Sequence, residues 1–272
     1  MYHFHKSCAN IIVVILILTK NGEKFNMRMK KKRHGGERLS LMSSLIVSDP
    51  AIVPENIEKI YGNNNPLRIE IGCGKGDFIR GKAEQEKDYN YLAIEKIADV
   101  LTIATEKYAS TKGLGSLAPN GGWQRPDGRL FPLGGDSVDF TMEEIGNVRF
   151  CVGDAAELLK DLPDNSVDTI YVNFCDPWSK KGHTKRRLTY IGFLNMYSRI
   201  LKKGGKFCFK TDNRPLFDFS LEQVELSKFE LEYKTNDLHA SQMNEVNIQT
   251  EYERNFTEKG FKINMLIARN EK

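Results

Sequence analysis

The stretch "LRIEIGCGKGDFI", Leu67–Ile79, joins a short apolar segment to a turn with glycine at every second position. Leu67–Ile71 has the composition of a strand, and the residues after the turn have the spacing of a helix. Gly72, Gly74 and Gly76 let the backbone turn sharply and approach a ligand where a side chain would collide. The stretch therefore predicts a strand, a turn and a helix with a ligand at the turn. A glycine-rich turn without a ligand is the alternative.

The same order of strand and helix repeats along the chain. Further strands are predicted at Tyr89–Ile94, in "NVRFCVG", at Val167–Phe174, in the segment that ends at Asp212, after a helix in "PLFDFSLEQVELSKFELEYKT", and in "FKINMLIAR". The helix that precedes the Asp212 strand is predicted to close at Gly204 and Gly205. Seven strands alternating with helices predict an α/β, Rossmann-like domain, with a mostly parallel seven-stranded sheet and helices on both faces.

Two segments fall outside this pattern. Residues 112–136 are crowded with Gly and Pro, which predicts a long surface insertion at about 112–147. Residues 1–44 form an amino-terminal extension that includes the basic run "RMKKKR", Arg28–Arg33. The expected domain organisation is therefore 1–44 for the extension and basic arm, and 45–272 for the α/β domain with its insertion.

The extension contains the apolar run "IIVVILIL", Ile11–Leu18. This run is too short to span a bilayer as a helix, and no small-x-small cleavage site follows it, so we expect no membrane attachment. A weak signal sequence, a short strand, and a true start at Met27 or Met29 are the three interpretations. Because residues 1–26 carry no motif, we expect them to be dispensable.

Composition alone does not identify a partner. The formal net charge of +4 is too small to indicate a polyanionic ligand, so the positions of the cations matter more than their sum. The five cysteines are scattered, without a C-x-x-C pair or a His or Cys at metal-ligand spacing. This pattern predicts free thiols in a reducing, cytoplasmic compartment and no metal site.

The glycine turn and the acids around it point to a nucleoside ligand. The G-x-G-x-x-G spacing of dinucleotide sites would require a third glycine where Asp77 stands. The observed G-x-G-x-G spacing after Glu70 suits S-adenosylmethionine, which has no pyrophosphate. Glu95 ends the second strand, where a carboxylate can accept both ribose hydroxyls, and Asp154 ends the third, where it could accept the adenine amino group. Either acid alone could instead be a helix N-cap.

The stretch "DPWSKKGHTKRR", Asp176–Arg187, places an acid at the end of the predicted strand Val167–Phe174 and follows it with five cations in eight residues. Asp176 should face the same crevice as Glu70. The basic run beside this acid and Trp178 predicts an arm that holds nucleic-acid phosphates against the cleft. A solvated loop is the alternative.

In chain order, "IEIGCGKGDFI", "YLAIEK", "NFCDPWSKKGHTKRRL", "FKTDN" and "TEYERNF" resemble the motifs of the bacterial tRNA (guanine-N7-)-methyltransferases. The resemblance runs from Met27 to the carboxyl terminus, interrupted by the insertion. It implies a cytoplasmic, metal-independent enzyme, monomeric or homodimeric, that methylates N7 of a guanosine in the tRNA variable loop with S-adenosylmethionine. The modified position would be 46 in tRNA numbering.

The resemblance also assigns roles to residues of this chain. Donor contacts fall on Glu70, Gly72, Gly74, Glu95, Asp154 and Asp176. Contacts to tRNA or guanine fall on Lys180, Asp212, Thr250, Glu251, Tyr252 and Glu253. The segment that grips RNA falls on Gly182, His183, Thr184, Lys185, Arg186 and Arg187. Guanine N7 carries a lone pair and no proton, so Asp176 is expected to act catalytically by positioning and charge stabilisation.

Two departures from the motif affect the arm. Ser179 stands in place of a usual proline and Gly182 in place of a usual cation, which loosens the arm and removes one charge. The Gly and Pro insertion and the apolar leader also depart from the common pattern, but they interrupt no motif.

Three other functions compete with this interpretation. An adenine amino-group methyltransferase would need D-P-P-Y, but Trp178 follows Pro177 directly. Pyrimidine C5 chemistry would need Cys175 as nucleophile, yet strand alternation turns it away from Asp176. An RNA-binding relative without methyl transfer is the third, and the acids at four strand ends speak against it.

Overall fold

A computed structural model of the chain describes residues 32–272, together with the backbone of Leu16–Leu18 and Lys24–Asn26. Its internal contacts divide the chain into two units, Met1–Arg33 and His34–Lys272. In the first unit, β1 (Leu16–Leu18) pairs antiparallel with β2 (Lys24–Asn26). The end of the apolar run is therefore a strand.

The two proposed start positions and most of the basic run lie outside the described residues, namely Met27, Met29 and residues 28–31. Among the residues that are described, no helix is both long enough and apolar enough to cross a membrane.

The second unit contains the remaining elements. Its helices are α1 (Gly35–Leu41), α2 (Ile57–Tyr61), α3 (Asp77–Gln85), α4 (Ala98–Thr111), α5 (Met142–Ile145), α6 (Ala155–Leu158), α7 (Ile191–Ile200), α8 (Arg214–Glu225) and α9 (Glu251–Thr257). Its strands are β3 (Leu67–Ile71), β4 (Asn90–Glu95), β5 (Ser116–Leu117), β6 (Trp123–Gln124), β7 (Leu130–Phe131), β8 (Val148–Val152), β9 (Val167–Asn173), β10 (Leu201–Thr211), β11 (Phe229–Thr235) and β12 (Asn264–Asn270).

Seven strands form the main sheet, in the order β11-β12-β10-β9-β3-β4-β8. The five strands from β10 to β8 are mutually parallel, and β12 runs antiparallel to both of its neighbours. The predicted mostly parallel, seven-stranded sheet is confirmed. Because the chain proceeds from β3 first to β4 on one side and later to β9 on the other, a crevice opens at the carboxyl end of β3.

The sheet is covered on both faces, as predicted. Along β4, Leu92 and Ile94 belong to one buried cluster, which includes residues of α7 and α8. The alternate residues Tyr91 and Ala93 belong to a second cluster with residues of α3 and α4. This alternation is what a strand buried on both faces requires, because successive side chains point to opposite sides.

The Gly and Pro segment folds into a small sheet of its own. Strands β5, β6 and β7 pair antiparallel, and Trp123 of β6 is fully buried. The Trp123 indole N–H donates to the carbonyl of Leu114 at 3.2 Å, and its ring meets Phe140 edge to face at 6.4 Å. Trp123 also belongs to the same buried cluster as residues of α4, so this side chain anchors the segment to the domain.

Helix α1 belongs to the larger unit. Arg38 donates from Nε to Oε1 of Glu106 on α4 at 2.7 Å, and Leu41 is buried. The larger unit therefore begins at His34, before the boundary at residue 45 that the sequence suggested.

The predicted helix end at Gly204 and Gly205 is wrong. Helix α7 ends at Ile200, and both glycines lie inside β10, where the register with β9 shifts between Leu201 and Lys206. Gly204 has a left-handed φ of 76°, and a Cβ at Gly205 would lie 2.8 Å from a backbone oxygen of Asp168. The glycines therefore serve a bulge in the strand rather than a helix cap.

Candidate active site

The glycine turn leads from β3 into α3 at the crevice. Gly72, Gly74 and Gly76 all have left-handed φ angles, of 74°, 56° and 77°. A Cβ at either of the first two would meet no atom of the described residues within 4 Å, whereas one at Gly76 would lie 3.3 Å from Cβ of Ala104. The first two glycines thus leave open space in front of the backbone, and the third permits close packing on α4.

Glu95 is held rigidly at the end of β4. Its Oε2 accepts the Gly74 N–H at 3.1 Å and its Oε1 accepts the Ile97 N–H at 2.9 Å. Burial raises the pKa of this carboxyl, although the backbone N–H donors oppose the shift. Each oxygen retains further acceptor capacity beside the glycine turn.

Glu70 is almost completely buried under the turn, at 1% exposure. Its Oε1 accepts Nδ2 of Asn173 at 3.0 Å, while Oε2 has no hydrogen-bond partner among the described residues. Burial raises the pKa of Glu70 to about 7. A buried carboxylate oxygen without a hydrogen-bond donor is costly, which favours the protonated form of this carboxyl.

Asp154 follows β8 and is an N-cap, which was the alternative weighed from the sequence. Its Oδ1 accepts the Ala156 N–H at 3.0 Å at the start of α6, and Lys96 Nζ lies 2.7 Å from Oδ2. The side chain remains 43% exposed. Asp154 therefore lies at the expected strand end, but its carboxylate is already engaged.

Strand β9 ends at Asn173, earlier than predicted, because Phe174 adopts a left-handed φ of 55°. Trp178 is also left-handed, at 42°, so the chain turns sharply on both sides of Asp176. Burial raises the pKa of Asp176, and the negative charge of Asp176 in turn helps to raise the pKa of Glu95.

Asp212 and Tyr252 form a second polar group near Asp176. The Tyr252 hydroxyl donates to Asp212 Oδ1 at 3.5 Å, and burial raises the pKa of Asp212. Burial and then the charges of Asp212 and Asp176 hold the pKa of Tyr252 well above its usual range. Asp176 therefore acts electrostatically on both the glycine-turn side and the Tyr252 side of the crevice.

Aromatic rings line the Tyr252 side. The Tyr252 ring lies 5.0 Å from Phe174 and stacks on Phe256 with centroids 4.2 Å apart. The three rings form an aromatic cluster beside Asp212, to which the Tyr252 hydroxyl donates.

The basic arm forms a turn of 3₁₀ helix at Lys181–Arg186. Lys180, Lys185 and Arg186 are exposed, and the Arg186 guanidinium lies 5.2 Å from the Trp178 ring centroid. The His183 ring packs edge to face on Trp178, with ring centroids 5.5 Å apart.

Arg187 differs from the other predicted RNA contacts. Its Nε donates to the Pro177 carbonyl at 2.9 Å, its Nη2 donates to the Trp178 carbonyl at 3.3 Å, and it lies 4.3 Å from the Phe219 ring centroid. The guanidinium is therefore used inside the protein to close the arm. Sequence reasoning could not separate it from its neighbours, because charge alone does not show direction.

The "TEYE" segment serves the fold and the site together. Thr250 caps α9 by accepting the Glu253 N–H at 3.0 Å, and Glu251 pairs with Lys75 of the glycine turn at 2.8 Å. Glu253 is fully buried and pairs with Lys210 at 2.8 Å. The segment brings Tyr252 to the crevice, whereas Glu253 points into the protein.

Sequence reasoning missed Lys75 and Lys210. Lys210 lies two residues before Asp212 in "FKTDN", so strand alternation could have placed it on the same side as that acid. Lys75 stands within the glycine turn itself, but nothing local to the sequence indicates its partner Glu251.

The Cys175 alternative finds no support in the geometry. Burial raises the pKa of the Cys175 thiol to about 12, which disfavours the nucleophilic thiolate. Within the described part of the chain, no group of His, Cys, Asp and Glu is arranged to hold a metal ion.

Comparisons with known proteins agree with this geometry. A family model described as "Putative methyltransferase" matches residues 64–266. The tRNA (guanine-N(7)-)-methyltransferase of Lachnoclostridium phytofermentans is 40% identical over 238 residues, which cover 88% of this chain and 96% of the relative. Proteins of the same name from Listeria innocua and Streptococcus agalactiae are 37% and 38% identical, over 89% of this chain and 98% and 100% of their own lengths.

Solved structures show the same fold. The 16S rRNA methyltransferase KamB superposes with a TM-score of 0.53 at 12% identity, covering 80% of this chain and 94% of that protein. An antibiotic-related methyltransferase gives a TM-score of 0.51 at 16% identity, with 80% and 93% covered.

Proposed function

The chain belongs to the tRNA (guanine-N7-)-methyltransferase family, and from that premise we propose that it transfers a methyl group from S-adenosylmethionine to N7 of a guanosine in tRNA. At the finer level, the proposed target is position 46 in the variable loop, as the motif resemblance implies. The proposal extends to a cytoplasmic protein that works as a monomer or homodimer.

The observation that carries the proposal is the fit of the crevice to the methyl donor. Gly72 and Gly74 leave open space before the backbone, and Glu95 is fixed beside it by two backbone N–H groups. Glu70 Oε2 is buried without a hydrogen-bond partner in the part of the chain that the structure describes. These groups match an amino acid and a ribose that bring hydrogen-bond donors to the crevice.

Bound S-adenosylmethionine supplies an electrophilic methyl group on a sulfonium. Guanine N7 has a lone pair and no proton, so the protein has no proton to remove from it and needs to hold the base in line. Asp176 and Asp212 border the proposed base site, and the Tyr252 hydroxyl on α9 donates a hydrogen bond to Asp212. Methylation leaves a positive charge on the purine, which a nearby carboxylate stabilises as it develops.

The arm supports the choice of a polyanion as substrate. Lys180, Lys181, Lys185 and Arg186 are exposed on one short segment that begins four residues after Asp176. Cations at this density beside the crevice can hold backbone phosphates while the base enters.

The test is direct detection of the modified base. The full chain is incubated with an unmodified tRNA transcript and S-adenosylmethionine, and the digested RNA is analysed for 7-methylguanosine by mass spectrometry. We expect 7-methylguanosine, and we expect its loss when G46 of the transcript is replaced by A. N6-methyladenosine would instead identify an amino-group methyltransferase, and binding of tRNA without any methyl transfer would identify an RNA-binding relative.

A further inference from the structure

Lys210 is a buried cation near the carboxyl end of β10, with 3% of its side chain exposed. Its ammonium donates to Asn247 Oδ1 at 3.0 Å, to the Ile248 carbonyl at 3.0 Å and to Glu253 Oε2 at 2.8 Å. An ammonium has three N–H donors, so its capacity is filled. All three acceptors belong to the segment 247–253.

Glu253 completes this attachment from the other side. It is fully buried, and its Oε1 accepts Nδ2 of Asn247 at 2.7 Å and lies 2.8 Å from Nε2 of His239. Without Lys210 the carboxylate would remain buried beside one amide and one imidazole, which is a strongly unfavourable state. The segment would then have to move or rearrange to hydrate Glu253.

The stretch that Lys210 fixes, from Asn247 to Glu253, contains residues of the candidate site. Tyr252 immediately precedes Glu253, and its hydroxyl donates to Asp212. Asp212 stands two residues after Lys210 and one residue beyond the end of β10. Alternation along the strand therefore places both side chains on the same face of the sheet. One lysine thus links the strand that leads to Asp212 with the segment that carries Tyr252.

We propose that Lys210 is a positioning residue for methyl transfer, which holds segment 247–253 so that Tyr252 and Asp212 meet at the base site. The inference rests on the proposed function and adds to it a residue that acts through its neighbours. It assigns the inward-pointing Glu253 the role of anchor, although the motif resemblance assigns it to the substrate.

Lys206→Met provides a matched control for Lys210→Met. Lys206 is the same residue type on the same strand, but its side chain is 49% exposed and pairs with Glu232 at the surface. Methionine keeps the length of the lysine stem and tolerates burial. The pair of variants therefore separates the buried contact from the loss of one positive charge.

The measurements are kcat/KM with saturating donor and varied tRNA, and donor affinity by calorimetry on folded protein. We expect Lys210→Met to lower kcat/KM by roughly 100-fold, the usual effect of a displaced site, with donor affinity within about twofold of wild type. Lys206→Met should leave both unchanged. Activity of Lys210→Met within about threefold of wild type would overturn the inference, and so would an equal fall in donor affinity.

Asn247→Ala decides the question if Lys210→Met does not fold. It removes an acceptor of Lys210 and a donor to Glu253 but leaves the Lys210 and Glu253 pair intact. We expect about tenfold lower kcat/KM with unchanged donor affinity, and wild-type activity would contradict the positioning role. A wild-type protein that methylates no tRNA would refute the proposed function itself, which is a separate outcome.

Discussion

Replacing Lys185 and Arg186 by Gln should weaken tRNA binding and reduce its dependence on salt, whereas Arg187→Gln should leave the salt dependence unaltered. Lys185 and Arg186 are exposed on the 3₁₀ turn of the arm. The Arg187 guanidinium instead donates to two carbonyls of the protein, those of Pro177 and Trp178. All three side chains carry the same charge, so the expected difference comes from their surroundings: Lys185 and Arg186 are exposed, whereas Arg187 is bound to the protein.

Counterion release sets the magnitude. Each lost phosphate contact makes the negative slope of log affinity against log salt shallower by about 0.7 to 0.9, so two lost contacts make it shallower by about 1.4 to 1.8. Between about 50 mM and about 200 mM salt, the affinity advantage of the wild type should then shrink about tenfold.

Fluorescence anisotropy with a labelled, unmodified tRNA at several salt concentrations measures these slopes. Donor affinity serves as the control and should be the same in all variants. For Arg187→Gln we expect slower methylation, because the arm loses its internal closure beside Asp176. An unchanged slope for the Lys185 and Arg186 double variant would show that the arm is merely solvated. A shallower slope for Arg187→Gln would show that Arg187 does contact RNA phosphates.

Three further substitutions probe the crevice. Asp176→Asn keeps the shape but removes the charge, so single-turnover methylation should slow roughly 100- to 1000-fold, with tRNA affinity retained; a near-normal rate would move this role to Asp212. Glu95→Ala should weaken S-adenosylmethionine by about 1.5 to 3 kcal/mol, the usual worth of hydrogen bonds to a charged group, and an unchanged affinity in calorimetry would remove Glu95 from the ribose. Burial raises the pKa of Glu70 to about 7 in the folded protein, so between the unfolded and the folded pKa the carboxyl binds a proton on folding. The stability that comes from this protonation is fully present below the unfolded pKa and is lost as pH rises through about 7. Denaturant unfolding should therefore show that the wild type loses about 2 to 3 kcal/mol between about pH 5 and pH 8 relative to Glu70→Gln, and equal pH dependence of the two proteins would contradict this.

Local patterns were sufficient to predict the sheet and its glycine turn. Strand and helix periods, and the residue types that end them, are readable within a few positions. Glu70 and Glu95 could be placed at the crevice because the carboxyl ends of parallel strands meet at one edge. The same logic placed Asp176 there, although the strand before it ends at Asn173.

Contacts between distant residues could not be predicted in this way. Lys210 and Glu253 are opposite charges 43 positions apart, and nothing in either neighbourhood indicates the pairing. Arg187 closes on Phe219 and on backbone carbonyls, which a charge pattern does not reveal. A pair of glycines such as Gly204 and Gly205 is typical both of a helix end and of a strand bulge. Only the pairing of β10 with β9 shows that these two belong to a bulge.

The acids of the crevice have a common electrostatic logic. Burial raises the pKa of Glu70, Glu95, Asp176 and Asp212, so each carboxylate is less stable here than in water. A positively charged ligand offsets that cost. In the proposed reaction the crevice faces a sulfonium before transfer and a methylated, cationic guanine after it. We therefore propose that Asp176, whose charge acts on both Glu95 and Tyr252, stabilises positive charge on either side of the transfer, an arrangement that needs no general base.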